Sequence, residues 1–423
     1  MGVLGSSPSL FAMRILWLSH FVPYPPRGGA LQRTHHLLRQ TAGRHDIDLL
    51  TLNQRANLPT PAAVKEAGHA LGAFLRDIEI HNIPSEGTRW RRRLLAGLAY
   101  ISGDPYDVCW LRSHRFAKAV NHRWETGSYD LIHVDTIGLM QYVCRAGRGR
   151  TVLNHHNVES QMMARRAERD PSPLIRHYCR RDAAKLRRLE QRDAPLVSMN
   201  LVVSELDGTR LREVAPEAKT AVVENGVDVE YFCPSGTLDS LPGSLVFAGT
   251  MGWYPNLEAA QFLVREIWRC LPRSEGPWKL SLVGGQPPET LRLEARRLGA
   301  EVTGFVDDIR PYLQQAEIYV CPIRIGGGTR LKVLDALAMG RPMVATALAV
   351  EGLGLTEDLH YLRAETAPEF VAQILRLRAD GALRQRLGSA GRGFVSEHFS
   401  WDTIGERLEA AYQAAAGHHR QPA

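Results

Sequence analysis

The sequence predicts an α/β protein of two doubly wound parallel-sheet domains. Three observations carry that class. The chain has 423 residues, which suits two domains. Short, nearly continuous apolar runs alternate with helical patterns, as in strands covered on both faces. That alternation pauses once, at Glu230–Ser244, a stretch rich in Pro, Gly and Ser, and then restarts.

The elements follow in order. RILWLSHF (Arg14–Phe21) reads as a buried strand, PYPPRGG as a loop, and Ala30 to Ala42 as a helix. HDIDLLTL (His45–Leu52) completes a first βαβ unit. YDLIHVD (Tyr129–Asp135), TVLNHHN (Thr151–Asn157), NLVVSE (Asn200–Glu205) and TAVVENGVD (Thr220–Asp228) continue the first half. After the pause, SLVFAGT (Ser244–Thr250) is a strand, NLEAAQFLVREIWRCL (Asn256–Leu271) a helix and WKLSLVGG (Trp278–Gly285) a strand. LEARRLG is helical, VTGFV a short strand, IRPYLQQA a helix, and EIYVCPI (Glu317–Ile323) and PMVAT (Pro342–Thr346) are strands. FSWDTIGERLEAAYQAAAG (Phe399–Gly417) is an amphipathic helix after the second sheet is finished. The boundaries expected are a first domain at 13–230 joined again by 400–416, a linker at 231–243 and a second domain at 244–399.

Composition narrows the class. At 44% hydrophobic residues the chain buries sizeable cores and is not disordered. A formal charge of +7 suits anionic partners. The six scattered cysteines include no CxxC pair, which excludes a zinc ribbon or disulfide framework and fits a reducing, cytoplasmic setting. MGVLGSSPSLFAMRILWLSHF is not a secretory signal, because no cation precedes the apolar run and Arg14 interrupts it; Met13, where the folded pattern begins, is a candidate start. No run of the length needed to span a bilayer is present.

The stretch RIGGGTRLKVLDALAMGRP (Arg324–Pro342) carries the most chemistry. An apolar strand ends at Arg324. Gly326, Gly327 and Gly328 leave the backbone bare, so N–H groups can approach a ligand. Thr329 is placed to cap the next helix, with Leu331, Leu334, Leu337 and Ala338 as its buried face. Arg330 and Lys332 stand in the first turn, where the helix dipole favours acids. A bound anion resolves that conflict, so the stretch reads as an anion site. GxxxxGK[ST], GxGxxG and HExxH are all absent. The pair Asp307–Asp308 reads as an exposed turn rather than a metal site, and no metal or cofactor is expected.

In order along the chain, RILWLSHFVPYPPRGG, NHHNVES, LVVSELD, VVENGVD, LVFAGTMGWYPN, GFVDDIRPYLQQAEIYVCPI, GGGTRLKVLDALAMGRPMVAT and FSWDTIGERLEAAY resemble the family-4 glycosyltransferases of the GT-B fold, over nearly the whole chain. The resemblance implies two Rossmann-like domains facing a cleft, the first for the acceptor and the second for a nucleotide sugar, with the last helix crossing back to the first. It implies transfer of a sugar to a glycan or lipid-linked acceptor, with retention of configuration and the departing phosphate helping to deprotonate the acceptor. His156 best matches the family's histidine, and His155 is the alternative. Gly28, Gly29, Gly249, Thr250, Asn256, Phe305, Val306, Gly326–Gly328, Thr329 and Asp335 fall at nucleotide-sugar positions, while Arg330 and Lys332 face the diphosphate. The family's two glutamates, eight positions apart, fall on Gly327 and Asp335, and its Arg and Lys at the start of the second domain fall on Thr250 and Asn256. Arg330 and Lys332 replace the missing charge, so departure of the diphosphate is expected to need no metal. A nucleotide-sugar 2-epimerase of the same fold and a non-catalytic sugar-nucleotide binder are the alternatives.

On the acceptor side, Thr88–Arg123 carries eight Lys/Arg against two Asp, interleaved with Trp and Leu. That suits a surface gripping anionic lipid headgroups at the inner face of a membrane, although a solvated helical face has the same composition. The mixed-charge stretch Ala164–Asp193 reads as a solvated helical hairpin. No nucleic-acid-binding module is visible.

Overall fold

The computed structural model describes residues 12–417 except 27, 171, 236–239, 327 and 328. The chain divides into two compact units. One runs to Val223 and takes up the chain again from Ile404, and the other is Glu224–Thr403.

The first unit contains β1 (Arg14–Ser19), α1 (Gly29–Ala42), β2 (Asp46–Asn53), α2 (Pro61–Gly72), β3 (Asp77–Asn82), α3 (Arg89–Ile101), α4 (Tyr106–Leu111), α5 (His114–Thr126), β4 (Leu131–Val134), β5 (Thr151–Asn154), α6 (Glu159–Arg169), α7 (Pro173–Asp193), β6 (Met199–Val202), α8 (Glu205–Val214) and β7 (Thr220–Val222). The strands form one sheet of order β3-β2-β1-β4-β5-β6-β7. All its pairings are parallel. The order reverses between β1 and β4, and such a switch point opens a crevice at the carboxyl ends of the strands. β1 stops at Ser19, short of the expected Phe21, because the Ser19 hydroxyl turns back to donate to the Phe21 carbonyl at 2.8 Å. The strand β3 was not anticipated. It carries Asp, Glu, His and Asn among its six residues and sits half-buried at the sheet edge, so it lacks the apolar run that marks its neighbours.

The second unit contains β8 (Ser244–Ala248), α9 (Tyr254–Phe262), β9 (Lys279–Val283), α10 (Glu289–Arg297), β10 (Glu301–Gly304), α11 (Arg310–Gln315), β11 (Ile318–Cys321), α12 (Leu331–Ala338), β12 (Met343–Ala345), β13 (Leu362–Arg363), α13 (Ala367–Ala379) and α14 (Gly381–His398). Its sheet has the order β10-β9-β8-β11-β12-β13, with the switch point between β8 and β11. α9 begins before the expected Asn256, with Pro255 in its first turn, and runs on through a π turn at Leu263–Trp268. Phe232 packs into this unit's core, so residues at the start of the stretch read as a linker belong to the second unit.

α15 (Trp401–Gly417) begins in the second unit and continues in the first. Within the first unit its buried Tyr412 hydroxyl is 2.8 Å from His133 Nδ1, and its Glu409 is 2.6 Å from His45 Nε2. His133 stacks on Trp17 with ring centroids 3.6 Å apart. The last helix is therefore held by β4 and by His45, just before β2, through hydrogen bonds and ring contacts. Among the described residues no helix is long and apolar enough to cross a membrane.

Candidate functional site

Each unit places chemistry at its own switch point. In the second unit, β8 leads into Gly249 and Thr250, and β11 leads into the glycine turn before α12. Strand adjacency therefore brings residues about seventy positions apart to one end of the sheet. The Lys332 ammonium donates a hydrogen bond to the Asn256 side-chain oxygen and lies 5.1 Å from the Phe247 ring centroid. The Asn256 amide in turn donates to the Thr250 carbonyl at 2.9 Å. A Cβ on Gly249 would come 2.6 Å from Lys332 Nζ and 2.9 Å from Asn256 Nδ2, so the bare backbone here is what admits the lysine. Gly326, at φ 116°, takes a conformation that favours glycine. A Cβ there would lie 3.4 Å from an Arg330 guanidinium nitrogen.

α12 begins at Leu331, with Arg330 at the N-cap and no side-chain cap. The expected cap by Thr329 is not formed. Its hydroxyl accepts from the Asn225 amide instead. Gly327 and Gly328 lie outside the described residues. Phe305 is 61% exposed, unusual for an aromatic ring, and its Cβ approaches Gly285 to 3.7 Å from where a side chain there would begin.

Burial governs the charges. The Asp335 carboxyl is pushed up to about 8 by burial, with the nearby Lys332 charge pulling the other way. Its buried Oδ1 has no hydrogen-bond partner. The Lys332 ammonium is lowered to about 8, first by burial and also by Arg330, while Cys321 and Asp335 oppose the shift. An orphaned buried acceptor and an under-solvated cation one helical turn apart leave polar capacity for a ligand with hydroxyls and negative charge. Asp308 is otherwise engaged. It binds the Arg310 guanidinium at 2.8–3.0 Å, and Arg310 lies 3.8 Å from the Tyr231 ring centroid.

In the first unit the two adjacent histidines separate cleanly. His155 is buried, with Nε2 3.0 Å from Asn200 Oδ1, and its imidazole is lowered to about 4 by burial. His156 instead turns to Asp135, with Nε2 3.3 Å from Oδ1. The fully buried Asp135 accepts from Asn154 and Thr34, each at 2.8 Å, and the Ser19 hydroxyl oxygen lies 3.2 Å away. Burial alone would raise its carboxyl, but the imidazoles of His156, His20 and His133 outweigh that and hold it well below the usual carboxylate range. His20, at the end of β1, lies 5.9 Å from the His156 ring, centroid to centroid. Sequence reasoning missed both His20 and Asp135. Gly28, at φ 96°, is the N-cap of α1, and Gly29 opens that helix.

The basic stretch divides too. Arg112 pairs with Asp104 at 2.6 Å, and Arg123 is held by Asp77 and Glu79. Those two cations are compensated within the fold. On α3, Trp90, Leu94, Leu98 and Ile101 all stand exposed. Nor is the helical hairpin simply solvated, since α7 buries Asp182, Lys185, Leu186, Leu189, Glu190 and Asp193.

Comparison with known proteins follows the same division. Residues 27–231 match the model described as Glycosyltransferase Family 4, and residues 242–380 that described as Glycosyl transferases group 1. The D-inositol 3-phosphate glycosyltransferase of Kribbella flavida is 28% identical over 225 residues, covering 48% of this chain and 52% of that protein. The phosphatidyl-myo-inositol mannosyltransferase of Mycobacterium tuberculosis is 25% identical over 208 residues, 46% of this chain and 54% of that protein. The chain thus spans about half the length of the curated relatives it matches. Two solved structures share the fold: sucrose-phosphate synthase from Thermosynechococcus elongatus (TM-score 0.67, 18% identity, 95% and 98% of the two chains) and Anabaena HepE in complex with UDP-glucose (TM-score 0.65, 16% identity, 94% and 98%). With both family models matched in order and two parallel sheets of the same architecture, the chain belongs to the family-4 glycosyltransferases of the GT-B fold.

Proposed function

We propose that the protein transfers a sugar from a nucleotide-sugar donor to a glycan or lipid-linked acceptor, without a metal at the diphosphate and with retention of anomeric configuration. The observation that carries this is the unsatisfied Asp335 carboxyl beside Lys332, at the switch point of the second sheet. Ribose hydroxyls would donate to Asp335. The diphosphate would meet Arg330, Lys332 and the N–H groups of the glycine turn, which oppose the charge that develops as it leaves. Lys332 reaches the Asn256 side chain, the position where the family's own lysine falls, and so can supply charge there from a different helix. HepE, which shares the fold, is described in complex with UDP-glucose.

The second unit is then the donor unit and the first the acceptor unit, in keeping with the two family models meeting between 231 and 242. Gly28 and Gly29 open a helix at the crevice of the first sheet, and His156 would contact the donor sugar or its phosphate. No enzymic nucleophile is required, because the departing phosphate takes the acceptor proton. The names of the curated relatives support a phosphorylated polyol or a lipid carrying one as the acceptor class, with the protein working at the cytoplasmic face of a membrane.

The test is turnover. UDP-, GDP- and ADP-sugars are screened by thermal shift, where a ligand at 100 Kd stabilises by ~2.7 kcal/mol. The best donor is then incubated with lipid and polyol-phosphate acceptors in EDTA, and released nucleoside diphosphate is measured. Release in EDTA with an α-linked product from an α-linked donor supports the reading. Binding without release would leave a sugar-nucleotide binder, and epimerised donor would indicate the epimerase.

A further inference from the structure

We propose that His20, Asp135 and His156 form a binding site for a divalent transition metal of the zinc type. One ligand atom from each of the three lies within 4.8 Å of the others, the one such grouping among the described residues. β1, β4 and β5 are neighbours in the sheet, and His20, Asp135 and His156 follow their carboxyl ends. The fold therefore delivers the three side chains to one point, although they are far apart in sequence.

Three features separate this cluster from an ordinary histidine–carboxylate contact. Two imidazole nitrogens, His20 Nδ1 and His156 Nε2, are buried and have no hydrogen-bond partner. Buried polar nitrogens without partners are rare, and a missing ion or water is the usual reason. The His156 Nε2 to Asp135 Oδ1 separation of 3.3 Å matches the ~3.4 Å edge of a tetrahedron with ~2.1 Å bonds. Last, the carboxylate is already oriented from behind. Asn154 donates to Oδ1 and Thr34 to Oδ2, which is the outer shell a metal-bound carboxylate keeps.

Two neutral imidazoles and one carboxylate suit zinc and its neighbours better than magnesium or calcium, which take oxygen. Three protein ligands leave a fourth position open. Because one nitrogen cannot serve both a metal and a sugar, the metal-loaded chain is an idle form under the transferase reading above. The site itself does not depend on that reading.

Binding is tested without donor or acceptor, so its failure is separate from failure of the transferase assignment. The full chain is stripped with chelator, dialysed and titrated with Co²⁺, then with Zn²⁺. The expected result is one Co²⁺ per chain, with a weak visible ligand-field band and no intense near-ultraviolet thiolate band, displaced by Zn²⁺, and a rise in Tm with either ion. His20→Gln and Asp135→Asn should each weaken Co²⁺ binding at least tenfold, while replacing the exposed Cys144, Cys233 and Cys270 with Ser should leave it unchanged. Should Asp135→Asn fail to fold, His20→Gln alone decides. Absence of stoichiometric uptake, or uptake undiminished in His20→Gln, overturns the proposal and leaves an ordered water between the imidazoles.

Discussion

The Lys332 ammonium occupies space that a side chain at position 249 would need: a Cβ on Gly249 would stand 2.6 Å from Lys332 Nζ. The clashing side-chain atoms are the mobile ends of Lys332 and Asn256, but position 249 sits at φ 159°, a backbone conformation that L side chains rarely adopt, so Gly249→Ala is strained as well. The fold should survive with a lowered Tm, by about 2–4 °C for each kcal/mol of strain. Affinity for the nucleoside diphosphate should fall at least about tenfold, ~1.4 kcal/mol, because the cation is displaced. Calorimetric titration of the folded variant checks this; unchanged affinity would remove Lys332 from the diphosphate site.

Under the proposed reading, Arg330 and Lys332 would carry the charge that a metal could otherwise supply. Arg330→Ala or Lys332→Ala should lower kcat/KM by roughly a hundredfold, since contacts to a developing anion are worth a few kcal/mol. A loss confined to KM would mean that the cations bind ground state and transition state alike.

Lys332 also predicts a proton. Its ammonium is lowered to about 8, chiefly by burial, so near that pH the free chain holds about half a proton there. A bound diphosphate favours the charged form and raises the pKa, so binding takes up protons. Titrations at pH 8 in buffers of different ionisation enthalpy should show more proton uptake by the parent than by Lys332→Arg, a difference that separates the lysine from any proton Asp335 gives up, and at pH 6.5 the two should differ little because the lysine is already charged. Lys332→Arg should remove the lysine's share and leave only that of other groups. Equal proton exchange by the parent and Lys332→Arg at pH 8 would assign the proton to another group.

Asp335 is raised to about 8 by burial, so at pH 7 its carboxyl is neutral. The sign is that of a raised carboxylate: the charged acceptor appears only as pH rises through about 8. Asparagine resembles a neutral acid, so Asp335→Asn should bind nucleoside diphosphate within about threefold of the parent at pH 7. The gap should widen toward tenfold at pH 9, where a charged acceptor strengthens the ribose hydrogen bonds. Asp335→Leu should lose affinity at both. Equal binding by parent and Leu variant would make Asp335 a packing residue only.

Local signals were readable and assembled ones were not. The strands showed in the sequence because parallel strands covered on both faces are continuous apolar runs, as in Leu16–Leu18 and Leu49–Leu50. The half-buried edge strand β3 escaped because polar residues separate its two isoleucines and leave no continuous apolar run. Gly326, Arg330, Lys332 and Asp335 stand within ten positions, so their shared chemistry could be read in one line. The contact of Lys332 with Asn256 could not, because it depends on β8 and β11 being neighbours. His20 and Asp135 gave no signal of their own; only the order β1-β4-β5 brings them to His156. Burial was equally hidden, and it is what neutralises Asp335.

The exposed face of α3 makes the last prediction. Trp90 is 77% and Ile101 74% exposed, and with Leu94 and Leu98 they recur at helical spacing along one stripe. Arg91, Arg92 and Arg93 lie between Trp90 and Leu94 in the sequence, so cations and apolar anchors would enter an interface together. Arg112 and Arg123 are excluded from this role because acids of the fold already hold them. Vesicles containing anionic lipid should co-sediment the protein at low salt, with each cation near the surface worth ~1 kcal/mol. Raised salt should weaken the attraction as the screening length shortens. Changing Arg91, Arg92 and Arg93 to Gln should weaken it at low salt, while Trp90→Ala should lower binding even where salt has removed the electrostatic part, because aromatic insertion is not screened. If parent and triple variant sediment alike at low salt, α3 is a solvated face, and a soluble acceptor becomes as good a partner as a lipid-linked one.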